Sequence, residues 1–252
     1  MSESYRPRIA GRHFLKGYPY GPELKIFSEH KNRNKKIAGL VGILGRHHPA
    51  SLTHSFEVAL TAVTLSPELG LGHNDIEVIF IGSLLHDIGK IGVSVGILDR
   101  VGALTERQTR ELMRHGRLGA NILKKVGLAE FAYFCDEHHI GNSNHHTWTK
   151  EDLDGRHPLT EIVSLSDLVC AVLDPRRQYH TPEKLETLIS EIEAIEKSDV
   201  FSEQLISAFK TAMLDKRLFP PYTSLSYKEN KLFMQLIGEF GLNWPPPDRV
   251  FL

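Results

Sequence analysis

From residue 49 to residue 214 the chain repeats one pattern, in which apolar residues recur at three- and four-residue spacing between capping residues and Gly or Pro stops. That period belongs to helices, and it leaves little room for anything else. Ser51 reads as the cap of a helix over 52–65, which Pro67 stops. Asn74 precedes Ile76, Ile79, Phe80, Ile81, Leu84 and Leu85, with Glu77 placed to complete a capping box and an end near Gly89. Thr105 and Gln108 form a second such box, opening a helix that runs through Leu112 and His115. Helical spacing continues over 121–126, 131–138, 159–173 (stopped by Pro175), 182–195 and 201–214, while 140–157 is polar and reads as a loop. No alternating strand pattern and no internal repeat is found. The expected fold is all-α, with a single domain. Residues 1–48 read as an arm followed by a helix over 23–43, and the Pro-rich tail holds a short helix over 228–240.

Composition narrows the function. A chain of 252 residues with 41% hydrophobic and 24% charged residues can bury a full core. A net charge of −1 supplies no broad basic field, so a nucleic-acid polymer is not an expected partner, and the basic cluster at 31–36 reads as a solvated helix face. Two cysteines, Cys135 and Cys170, make no disulfide framework. With no signal-like or membrane-length apolar run, the expectation is a soluble, cytoplasmic protein with no membrane contact.

The unusual count is 14 histidines. Five of them, His54, His86, His115, His138 and His139, fall at helix ends or inward faces, and Asp87 and Asp167 accompany them. Imidazole and carboxylate together suit first-row divalent metals, with iron or manganese expected and zinc admitted by the same ligands. Seven ligands are too many for one tetrahedral ion and fit two ions sharing a carboxylate, which makes Asp87 the expected bridge. Two such ions can generate a hydroxide nucleophile and neutralise phosphate oxygens. Lys90 puts a cation one turn beyond His86, placed to hold a phosphate oxygen. No P-loop, nucleophile elbow or dinucleotide fingerprint competes with this reading.

The string Leu84-Leu85-His86-Asp87-Ile88-Gly89-Lys90-Ile91 resembles the signature of the HD phosphohydrolase superfamily, and more narrowly its HD-GYP branch. The segment from Ile97 to Thr105, His115 with Gly119-Ala120-Asn121, the His138-His139 pair and Pro158-Leu159 leading to Ser166-Asp167 follow the same order. The resemblance implies an HD-type domain over 49–215, an N-terminal arm and helix over 1–48, and a C-terminal extension over 216–252 packing on the domain. It implies His54, His86, Asp87, His115, His138, His139 and Asp167 as metal ligands, Asp87 and Lys90 as catalytic residues, and Lys90 on the substrate phosphate. Arg176 or Arg177, before Tyr179, resembles the branch's Arg-Pro-Tyr segment, and either arginine can be the one near the phosphates. The activity implied is hydrolysis of cyclic di-GMP or a related cyclic dinucleotide by a hydroxide held between two divalent ions. A broader HD nucleotidase or phosphomonoesterase, and a catalytically weak nucleotide-sensing module, stay open as alternatives.

The sequence departs from the branch after His139, where a glutamate and a Gly-Tyr-Pro loop are expected. Here Ile140-Gly141-Asn142-Ser143-Asn144-His145-His146-Thr147-Trp148 stands instead. Trp148 is the aromatic in this loop able to stack on a base, and the loop is the expected docking place for a second copy or a protein partner. Gly17-Tyr18-Pro19, far upstream, reads as coincidence.

Overall fold

A computed structural model describes residues 31–140, 149–173 and 200–214. The arm, the helix expected over 182–195 and the C-terminal extension lie outside the described residues, as do Trp148, Arg176 and Arg177. Among the described residues every regular element is helical and no strand occurs, as the periodicity requires.

Two helices make the centre. α1 (Lys31–His47) leads into α2 (Pro49–Leu65), and α3 (His73–Leu85) packs along α2. Every residue of α3 from Ile76 to Leu85 is buried, so this segment is an interior helix and not one with a single apolar face. α2 is almost as fully enclosed. Ile37, Leu40 and Leu44 of α1 join the same core as Phe56, Phe80 and Phe134. Full burial of side chains this size stabilises by roughly 1.5–3 kcal/mol each.

Two caps differ from expectation. α2 opens two residues earlier than Ser51, with Pro49 in the first turn and His48 as cap. The His48 Nδ1 accepts the Ser51 amide at 3.1 Å, while its Nε2 lies 2.8 Å from Asp99 Oδ1. An imidazole bridging a helix start to a distant loop is not a standard cap, which is why the hydroxyl of Ser51 drew the assignment. α3 has Gly72 as cap and no side-chain cap bond. Glu77 does not turn back to the helix start, because Arg33 Nη2 holds its Oε1 at 2.9 Å in the interior. The Thr105–Gln108 box forms as expected and opens α5 (Glu106–Met113).

α3 ends at Leu85, short of Gly89, and a 3-10 turn over Ile88–Gly92 follows. After the short α4 (Val95–Leu98), the stretch expected as one helix through His115 is two: α5, then α6 (His115–Val126). α7 (Ala132–Glu137) carries the chain into a turn at His138–Ile140. The stretch expected as loop over 140–157 contains a helix, α8 (Lys150–Gly155), whose Thr149–Asp152 capping box overrides its polar composition. α9 (Pro158–Leu173) and α10 (Glu203–Leu214) match their spacing. No helix among the described residues is long and apolar enough to cross a membrane.

Glycine decides how closely the 3-10 turn can meet α6. A Cβ on Gly89 would stand 1.8 Å from the carbonyl oxygen of His115 and 2.5 Å from the amide nitrogen of Gly119. Those neighbours are backbone and cannot rotate away. Gly89→Ala is therefore expected to cost about 3 kcal/mol, the upper end of ordinary overpacking, or a fall in Tm of roughly 6–12 °C. Thermal unfolding followed by circular dichroism measures this, and an unchanged Tm refutes the crossing.

Candidate metal centre

Helix ends deliver the ligand candidates. Asp87 sits between α3 and the 3-10 turn with φ −100° and ψ 7°, the sparsely populated bridge region common at functional sites. That break aims His86 and Asp87 into the same buried space. His115 comes from the first residue of α6, and His138 and His139 from the turn after α7. His54 lies on α2 and Asp167 on α9, facing each other with Nε2 and Oδ1 2.7 Å apart. The structure thus gathers all seven residues singled out in the sequence. His115, His138 and His139 offer ligand atoms within 4.8 Å of one another, as do His54, His86 and Asp87, and again His86, His138 and Asp167.

The imidazoles are held by backbone carbonyls. His86 Nδ1 donates to Ser83 O at 2.7 Å, and His115 Nδ1 to Leu112 O at 2.6 Å. His138 Nδ1 reaches the carbonyls of Phe134 and Cys135, both at 2.9 Å. A carbonyl only accepts, so each Nδ1 donates to it and each Nε2 is the ring nitrogen turned towards the site. The Nε2 atoms of His115 and His138 are 3.2 Å apart, and His139 Nε2 is 3.2 Å from His115 Nε2. Ring nitrogens this close can donate together to one cation placed between them. His86 Nε2 is buried without a hydrogen-bond partner among the described residues. Orphaned, convergent nitrogens of this kind fit metal ligation.

Asp87 occupies the middle. Its Oδ1 faces His115 at 3.1 Å, while Oδ2 faces His86 at 3.3 Å and pairs with Lys90. Burial alone would raise its pKa, but Lys90, followed by His86 and His115, holds the carboxyl well below its ordinary range. Asp167 is likewise held low against burial, chiefly by His54. Burial, with the neighbouring imidazoles, drives His138 well below the usual histidine value and His139 down to about 4. Burial opposes protonation of His86 too, but there the Asp87 charge prevails and the pKa is raised. At neutral pH both carboxylates are therefore ionised and the His138–His139 pair is neutral, the forms that bind metal.

Two buried contacts lie outside the sequence reading. Glu137 Oε2 accepts from the His157 amide at 2.7 Å and from the Thr160 hydroxyl at 3.3 Å. Arg156 Nη1 donates to Ile140 O at 2.8 Å. Their signal was faint: a glutamate just before His138-His139, and an Arg-His pair just before Pro158.

A pH effect follows. His139 and His157 stay neutral in the fold down to about pH 4, whereas in the unfolded chain they take up protons near 6.5. The unfolded state binds more protons between those values, so stability falls as pH drops from 6.5 towards 4. Urea unfolding of chelator-treated protein at steps across that window measures it, and His157→Gln flattens the slope. A slope left unchanged by that substitution contradicts the assignment for His157.

A family model described as HD domain matches residues 51–172. A cyclic di-GMP phosphodiesterase of Thermotoga maritima is 24% identical over 192 residues, covering 73% of this chain and 51% of that protein. A 3'3'-cGAMP-specific phosphodiesterase of Vibrio cholerae is 27% identical over 202 residues, 75% of this chain and 40% of that protein. The chain thus spans about half or less of the length of these relatives.

Proposed function

Because residues 51–172 are an HD domain, in agreement with the family read from the sequence, we propose that the chain is a metal-dependent phosphodiesterase acting on a cyclic dinucleotide. The observation that carries the reading is the convergence of imidazole nitrogens and two ionised carboxylates on one buried space. The substrate class is supported by relatives named for cyclic di-GMP and 3'3'-cGAMP hydrolysis.

His54, His86 and Asp167 would hold one divalent ion and His115, His138 and His139 a second, with Asp87 between them. Iron or manganese suits this mixed set best, and zinc is compatible. Such ions supply Lewis acidity and an activated water at neutral pH. The chain's own residues do the rest. Asp87 presents one oxygen to each half of the cluster. Lys90, partly buried against Asp87, brings a cation to the centre and is assigned to a phosphate oxygen. Arg176 or Arg177 and Trp148 are proposed as further substrate contacts, and the loop that replaces Gly-Tyr-Pro as the place where a partner or second copy docks.

Metal analysis of anaerobically purified protein tests the centre, with about two ions per chain expected. Asp87→Ala should remain folded, hold less than one ion, and lose turnover by roughly 10³-fold, since several kcal/mol of charge stabilisation disappear at about 1.4 kcal/mol per decade. Products from cyclic di-GMP and 3'3'-cGAMP are compared with those from mononucleotides. Cleavage of mononucleotides alone assigns the chain to the broader phosphomonoesterase class, and full metal loading of Asp87→Ala refutes the bridging role.

A further inference from the structure

The turn that carries two of the proposed ligands is held at both ends by two consecutive residues. Before His138, the Glu137 carboxylate takes the amide of His157 at 2.7 Å. After His139, the carbonyl of Ile140 takes Arg156 Nη1 at 2.8 Å. Arg156 is buried, and its second nitrogen donates to Val200 O at 2.7 Å. The same guanidinium lies 3.9 Å from Glu161 on α9 and 5.3 Å from the ring centre of Phe201. Glu161 in turn accepts the Ser202 amide, where α10 begins. One side chain therefore ties the exit of the His138–His139 turn to α9, which bears Asp167, and to the start of α10.

The sequence explains why a strut is needed here. Ile140 occupies the place directly after His138-His139, so no side-chain carboxylate is available to anchor that residue. Its backbone carbonyl is the acceptor left, and a planar guanidinium with several fixed donors can serve it and Val200 at once. A lysine ammonium can reach one carbonyl but does not reproduce the fork.

We propose that Arg156 is a positioning residue for the His138–His139 pair, acting through the Ile140 carbonyl; this rests on the metal-centre reading above. It touches neither substrate nor metal. Its effect is on the direction in which the two imidazoles point, a property to which metal sites are sensitive, with losses of about 10–100-fold in affinity when such supports are removed.

The test is titration of the chelator-treated full chain with Co2+, read by its visible absorption, for the wild type, Arg156→Met, Arg156→Lys and Arg33→Met. Arg33 is a second buried arginine, paired with Glu77 away from the ligand turn, and controls for general loosening. The expected result is Co2+ binding about 10–100-fold weaker in Arg156→Met, with a changed absorption envelope. Arg156→Lys should be intermediate, and Arg33→Met should be less stable but within about twofold of wild-type affinity. Wild-type affinity and spectrum in Arg156→Met overturn the positioning role while leaving the metal centre standing. Equal weakening in Arg33→Met overturns it as well. No Co2+ binding by the wild type overturns the metal centre and this inference together. Should Arg156→Met not fold, Arg156→Lys decides alone: weakened binding supports the role, and unchanged binding overturns it.

Discussion

At Gly89 the 3-10 turn passes the His115 carbonyl at a distance that admits a hydrogen and no carbon. The geometry of the candidate site is tied to that crossing. Asp87 and Lys90 flank Gly89 on one strand of the crossing, and His115 is the other strand. Moving the two backbones apart by the width of a methyl group would separate the Asp87 Oδ1 from His115 Nε2, now 3.1 Å apart. The seam continues through Gly119, where a Cβ would meet Cys135 Sγ at 2.9 Å. Cys135 then joins both halves. Its thiol donates to Leu85 O at 3.2 Å, immediately before His86, and its carbonyl receives His138 Nδ1 at 2.9 Å. Burial pushes that thiol's pKa well up, so it stays a neutral donor and not a nucleophile.

Around this seam the electrostatics run in one direction. Backbone carbonyls take the Nδ1 protons, and burial keeps the His138–His139 pair neutral. The carboxylates remain charged against burial because cations and imidazoles surround them. A core that assembles ionised carboxylates and converging ring nitrogens gives up stability to hold them together, as a site built for a cation would. This is the strain expected where function overrides packing.

What could be read from the sequence divides along the same line. Helix existence was legible because a 3.6-residue period survives burial, as over 159–173 and 201–214. The candidate ligands were noticeable because imidazole and carboxylate types at helix ends are rare enough to stand out together, and the structure places all seven in three overlapping groups. A cap was legible at Thr105, where a hydroxyl and an amide stand at local spacing, while the same kind of pair at Thr149 went unread because it stands within a polar stretch. His48 and Glu77 failed as local readings because their partners, Asp99 and Arg33, are distant in the chain. Arg156 was invisible for the same reason. A buried guanidinium shared between two backbone carbonyls leaves no trace in residue spacing, since a carbonyl is present at every position.

The same division separates chemistry from specificity. The residues assigned to the metals, and Lys90, sit on α2, α6 and α9, on the stretch from the end of α3 through the 3-10 turn, and on the turn after α7, all fastened to one core. The sequence change that sets this chain apart begins at Ile140, one residue beyond the last paired ligand. Arg156 and the Glu137–His157 contact lie at that boundary and fasten the turn on the core side of it. That fastening holds the turn bearing His138 and His139 to α9 and to the start of α10 through the Ile140 carbonyl. The candidate ligands thus stand on the fastened side of a boundary beyond which the sequence departs from the branch it resembles.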